Sequence, residues 1–194
     1  MPTCVEPGPE PDADGRPIGD PPVLVWVGSP STVRHLTSIA DALLEVHRST
    51  GARLRVVGGS VEGGPLEAMA SSEPWSAAAE TDALSSGDLG LMPLPDGPLE
   101  RGKCGYKLLQ YGAAGLPAVA SPVGINAEIL ESFGAPAPDT ADDWVVALVD
   151  LIEAPVTTRA ELGRRAHRVV TDQFGFDAWA PVWRRLVDDL GLST

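Results

Sequence analysis

The residues best suited to chemistry in this chain are Lys103 and Lys107, in the run Gly102-Lys103-Cys104-Gly105-Tyr106-Lys107. They are its only lysines among 14 basic residues, they lie one helical turn apart, and Arg101 adjoins them. A glycine-rich turn opening a helix presents free N–H groups and the positive end of the helix dipole, and its glycines let a phosphate approach the backbone. Cations at a helix start work against that dipole, so a structural role does not account for them. The pattern predicts an anionic ligand of phosphate type.

Competing motifs fit less well. Gly97-Pro-Leu-Glu-Arg-Gly102-Lys103-Cys104 has P-loop spacing, but Cys104 stands where a Ser or Thr hydroxyl must meet Mg²⁺. A thiol is a poor ligand for that hard cation. A dinucleotide fold asks for Gly-x-Gly-x-x-Gly after the first strand, and Gly28-Ser-Pro-Ser-Thr-Val33 has a single glycine. No acid ends the first strand, as a phospho-acceptor domain requires. His35, His47 and His167 have no second His or Cys at ligand spacing, so no metal site is expected. His35, beside Arg34, either reaches the phosphate pocket or is an ordinary helix histidine. Trp26, Trp144, Trp179 and Trp183 suit packing positions, whereas Trp75, in a loop, either stacks on a base or fills core.

The elements that must position these groups follow from periodicity. Residues 1–22, rich in Pro, Gly and Asp, read as a linker or tail unable to bury apolar surface, and residues 23–194 as one domain. Val23–Val27 is a continuous apolar strand buried on both faces, and Gly28–Thr32 opens a helix to about His47. Further strands are expected at 54–57, near 73–75, at 88–94, at 117–121 and weakly near 134–136. Ser76 caps a helix to about Ser86 in an approximate capping box. Helices follow near 127–132, 140–153, 158–173 and 176–190. Alternating strands and helices require right-handed crossovers, hence a doubly wound α/β fold with a parallel sheet of about six strands. In such a sheet the ligand lies beyond the strands' carboxyl ends, where Gly28–Arg34, Trp75–Ser76, Gly102–Lys107 and Ser121–Glu128 all fall.

The totals set the limits. A net charge of −13 over 194 residues argues against nucleic acid and anionic membranes as partners, so any phosphate needs a local basic pocket. Cys4 and Cys104 form no metal or redox spacing, and a reducing cytoplasm is the natural setting. No apolar run approaches the roughly 20 residues of a membrane span.

From about Val23 to Leu190 the chain resembles the C-terminal, donor-binding half of family-four GT-B glycosyltransferases, the glycosyl transferases group 1, which pair two Rossmann-like domains. The likeness rests on Val-Trp-Val-Gly28-Ser-Pro-Ser-Thr, Leu-Arg-Val-Val-Gly58-Gly59, Asp88-Leu-Gly-Leu-Met-Pro-Leu-Pro-Asp96, the 102–110 run, Ala114-Gly-Leu-Pro-Ala-Val-Ala-Ser-Pro-Val-Gly124-Ile-Asn126 and Glu128. It implies a nucleotide-diphosphate sugar as substrate, with no metal and no other cofactor. Arg34 matches the family's basic phosphate contact, and with Lys103 it is the catalytic candidate. Gly105 matches the glycine whose backbone meets the pyrophosphate, and Lys107 adds charge. Gly28, Ser29, Trp75, Gly102, Tyr106 and Gln110 complete the substrate-binding candidates. The glutamates of the family's Glu-x7-Glu motif fall on Gly102 and Gln110, so both carboxylates are absent and a Gln amide faces the ribose. The resemblance further implies transfer with retention of anomeric configuration. The acceptor-binding N-terminal domain of such enzymes is not in this chain, which is therefore expected to be a fragment of a longer enzyme or a split product needing a partner chain. The alternative is a stand-alone nucleotide-sugar-binding or interaction module without turnover.

Overall fold

The computed structural model describes residues 3–191; Met1 and Pro2 of the expected tail and Leu192–Thr194 of the expected domain lie outside the described residues. Among the described residues five parallel strands form one sheet in the order β3-β2-β1-β4-β5. They are β1 (Val23–Val27), β2 (Arg53–Val57), β3 (Ala70–Glu73), β4 (Leu89–Met92) and β5 (Ala118–Ala120). The helices are α1 (Val33–Thr37), α2 (Ala40–Thr50), α3 (Ala77–Ser86), α4 (Pro98–Arg101), α5 (Tyr106–Ala113), α6 (Asn126–Phe133), α7 (Ala141–Glu153), α8 (Val156–Phe174) and α9 (Phe176–Asp189).

Strand alternation distributes the core between the two faces of the sheet. Leu24 and Trp26 of β1 join Leu54, Leu43, Val46, Trp144 and Leu148 in one cluster, under α2 and α7. Val25 and Val27 join Leu108, Leu109, Tyr111, Phe133 and Val170 in the other, under α5, α6 and α8. Both faces are covered, as all-parallel strands require. The expected doubly wound, Rossmann-like sheet is therefore present, and strand order reverses between β1 and β4, which are paired through Leu24 with Leu89 and Val25 with Gly90.

Three local expectations are corrected. The sixth strand near 134–136 does not form. Gly134 ends α6 in a left-handed conformation at φ 68°, and the Ala135 N–H is spent on the Leu130 carbonyl. With Pro136 and Pro138 following, the segment has few donors left for a ladder. The strand expected near 73–75 lies at 70–73, an edge strand whose polar Ser71 and Ser72 carry no apolar alternation. The helix expected from Gly28 to His47 is broken: a 3₁₀ turn at Pro30–Thr32 leads into α1, and α2 starts anew. At the break, Thr37 Oγ1 and Ser38 Oγ donate to the Arg34 and His35 carbonyls at 3.0 and 2.7 Å. Side-chain hydroxyls thereby compete with the main-chain ladder.

The first described residues also depart from expectation, because they are packed against the sheet and its helices. Val5 is buried in the core beside α5 and α8, its N–H donates to the Phe174 carbonyl at 3.0 Å, and Gly8 N–H donates to the Ala113 carbonyl at 2.9 Å. Arg16 pairs with buried Asp88 at 3.1 Å, and Asp88 also accepts the N–H groups of Gly19 and Val23. Proline-rich composition discouraged regular structure here but left single apolar and charged residues free to dock. No helix among the described residues is long and apolar enough to cross a membrane.

Candidate functional site

The rim at the carboxyl ends of β1 and β4 is the topological switch point, the place where a doubly wound sheet opens a crevice for ligand. From β1 come Gly28, Ser29, Arg34 and His35; from β4 come Glu100, Gly102, Lys103, Gly105 and Lys107. The backbone requires glycine twice here. Gly105 opens α5 at φ 68°, and a Cβ on it would meet Ile129 Cδ1 at 2.6 Å and Asn126 Oδ1 at 3.2 Å. A Cβ on Gly28 would run into the Trp26 ring. Gly28 leaves half-buried backbone at the rim, Gly105 is itself buried against α6, and the first N–H groups of α5 have no intrahelical partner.

Charge converges on the same place. Glu100, brought in by the single turn of α4 and only 7% exposed, presents one oxygen, Oε1, to three groups. Arg34 Nη2 lies 3.6 Å from it, His35 Nε2 3.3 Å and Lys103 Nζ 3.9 Å. Lys107 Nζ sits over the Trp26 ring, 5.5 Å from its centroid, a cation–π arrangement. Burial and then the neighbouring Lys103 charge lower the Lys107 ammonium below the ordinary lysine range. Arg101, by contrast, is turned aside into a bidentate pair with Asp96 at 2.6 and 2.7 Å.

A second cluster lies where β3 gives way to α3. The expected Ser76 cap is present, its Oγ accepting the Ala79 N–H at 3.0 Å. Glu80 does not reach back to close a capping box. Its Oε2 accepts the Trp75 indole N–H at 2.6 Å and its Oε1 accepts the Gln110 amide at 2.5 Å. Trp75, 59% exposed, borders a cleft of about 560 Å³ with Pro30, Val33, Gly58 and Gly59. It is therefore not core filler. Tyr106 is exposed at the head of α5, and Ser29 Oγ lies within hydrogen-bond reach of Ser31 Oγ and Thr32 Oγ1.

The structure thus gathers Arg34 and Lys103 on Glu100, and Gly28 and Lys107 on Trp26, beside Gly105 at the head of α5, with Trp75 and Gln110 joined to each other through Glu80. Sequence reasoning missed Glu100, Glu80 and the underside role of Trp26. The signals were faint: Glu100 stands one turn before Lys103, and Glu80 one turn into a capped helix. A different cleft, of about 230 Å³ at the opposite end of the sheet, holds Arg16, Asp88 and Arg159. Its charges are spent on the fold, Arg16 on Asp88 and Arg159 on the carbonyls of Leu151, Ile152 and Ala154. Among the described residues no three His, Cys, Asp or Glu are placed to hold a metal ion.

A family model described as glycosyl transferases group 1 matches residues 21–154. The chain belongs to that family. No curated protein matches it in sequence. Solved glycosyltransferases resemble this group 1 domain in fold. A glycosyltransferase from Rickettsia africae superposes with TM-score 0.70 at 11% identity, over 91% of this chain and 49% of its own. TarM of S. aureus, solved with fondaparinux, α-GlcNAc-glycerol and UDP, gives 0.65 at 14% identity, over 87% and 36%. The pneumococcal O-GlcNAc transferase GtfA, solved with UDP and GlcNAc, gives 0.65 at 14%, over 98% and 39%. The chain therefore spans less than half the length of each of these three proteins, and corresponds to one half of a GT-B architecture.

Proposed function

We propose that this group 1 domain is the donor-binding half of a glycosyltransferase and holds a nucleotide-diphosphate sugar at the β1/β4 switch point. The observation that carries the reading is the gathering of Arg34, Lys103 and Lys107 beside Gly28 and the N-terminus of α5, in a chain whose net charge is −13. Arg34 and Lys103 are the catalytic candidates. Fixed cations and helix-terminal N–H groups stabilise the diphosphate as it leaves with the electrons of the glycosidic bond, without a metal. The base lies in the cleft beside Trp75, and the ribose faces the Glu80–Gln110 pair. Transfer, with retention, requires an acceptor held by a second domain or partner chain. The UDP in two of the similar structures supports this ligand class.

The lack of acids at positions 102 and 110 favours the second reading, a nucleotide-sugar-binding module without turnover. One experiment separates the two. Uridine, guanosine and thymidine diphosphates and their sugars are titrated with Mg²⁺ and with chelator, and then an acceptor-domain chain is added. Binding that is indifferent to chelator, followed by sugar transfer, is the expected result. Binding without transfer favours the module, and protection by ATP with Mg²⁺ alone overturns both.

A further inference from the structure

A buried histidine behind the phosphate site is left unused by the reading above. His35 is 3% exposed, and its Nε2 has no hydrogen-bond partner. That nitrogen lies 3.3 Å from Glu100 Oε1, the same oxygen that Arg34 and Lys103 approach from the solvent side. The charged groups facing His35 are Arg34 on its own helix, Glu100 on α4, Lys103 in the loop after α4 and Lys107 on α5. Burial, then Lys103 and Arg34, hold the imidazole below its ordinary value of 6.5, with Glu100 pulling the other way. With the site empty, His35 is neutral near pH 7 and Glu100 serves as counter-ion to Arg34 and Lys103.

A diphosphate changes the balance. Arg34 and Lys103 keep 63% and 29% of their side-chain surface exposed and are free to turn to a ligand, whereas the Glu100 side chain, at 9%, is not. Once its cations are shared with phosphate oxygens, Glu100 is a buried carboxylate short of positive charge, which is costly unless a partner is supplied. His35 is in place to supply it. We propose that His35 and Glu100 form a proton-linked counter-ion behind the phosphate site, His35 taking one proton from solvent when a diphosphate binds and pairing with Glu100 as the imidazolium. No bond to the ligand is made or broken in this step. The proposal rests on the diphosphate reading above and adds a dependence on pH. Because the ligand-bound imidazole is the more basic, the gain in affinity from this proton is fully present below the free-state pKa and is lost as pH rises through the bound-state value.

The test follows the imidazole signals of the whole chain by NMR, with and without excess uridine or guanosine diphosphate. The chain has 3 histidines, and His35 is assigned by the signal lost in His35→Asn. The His35 midpoint is expected below 6.5 alone and higher by about one unit or more with ligand, corresponding to roughly tenfold in affinity across the window. Calorimetry in buffers of different ionisation enthalpy should show wild type taking up more protons than Glu100→Gln, the difference cancelling the ligand's own phosphate titration. A His35 midpoint that stays or falls while ligand binds overturns this proposal alone. Failure of wild type to bind either diphosphate overturns the diphosphate reading and this proposal with it.

Discussion

The ammonium of Lys107 rests on an indole face rather than against a carboxylate, and that of Lys103 shares its single carboxylate with Arg34. Both retain donors for a ligand. A charge-assisted hydrogen bond is worth about 1.5–3 kcal/mol, so Lys103→Ala, Lys107→Ala together should weaken nucleoside diphosphate binding by roughly 100-fold or more. Calorimetry returning less than a threefold loss would contradict the site. Glu80 orders Trp75 and Gln110 from a partly exposed position, so Glu80→Ala should lower affinity by about three- to tenfold. Little stability should be lost in a urea titration, and a large fall there would reassign Glu80 to the fold. Tyr111 is the reverse case. Its hydroxyl is fully buried and donates to the Leu91 carbonyl at 2.9 Å, and burial pushes its pKa far above the ordinary phenol value. Tyr111→Phe leaves that carbonyl short of a partner and should cost about 1–2 kcal/mol by urea unfolding.

At the scale of elements, α5 depends on Gly105. Gly105→Ala forces a side chain into a left-handed conformation and against Ile129, so stability should fall by about 1–3 kcal/mol and ligand affinity with it. Unchanged melting would show that the α5 entry tolerates strain. The strands β1, β2, β4 and β5 were legible because apolar runs of strand length ended at Gly or Pro, and α7 because Thr140 and Asp143 make a full capping box. The edge strand β3 was displaced because its pairing comes from β2 and not from its own sequence pattern. The break between α1 and α2 was hidden because Thr37 and Ser38 resemble helix surface until their hydroxyls are seen bonded to main chain. In the site, glycines and lysines were legible from type and spacing. Glu100 and Glu80 were not, since each ties a near neighbour to a partner distant in sequence, Glu80 joining Trp75 to Gln110 and Glu100 joining Lys103 to Arg34.

For the whole molecule, the surrounding acidity sets how a phosphate ligand arrives. A net charge of −13 repels an anion at long range while the basic rim attracts it at short range. Added salt screens the first more than the second. The association rate of a nucleoside diphosphate should therefore hold level or rise between low and physiological ionic strength, and a steep fall in stopped-flow measurements would place the basic field elsewhere. The backbone bond from Val5 to Phe174 acts at this scale too, as a buckle. It fastens the start of the described chain to the joint where α8 becomes α9, so the two cannot loosen independently. Slow solvent exchange of the Val5 amide and slow exchange through that joint should rise and fall together, making the front of the chain a gauge of the firmness of its far end.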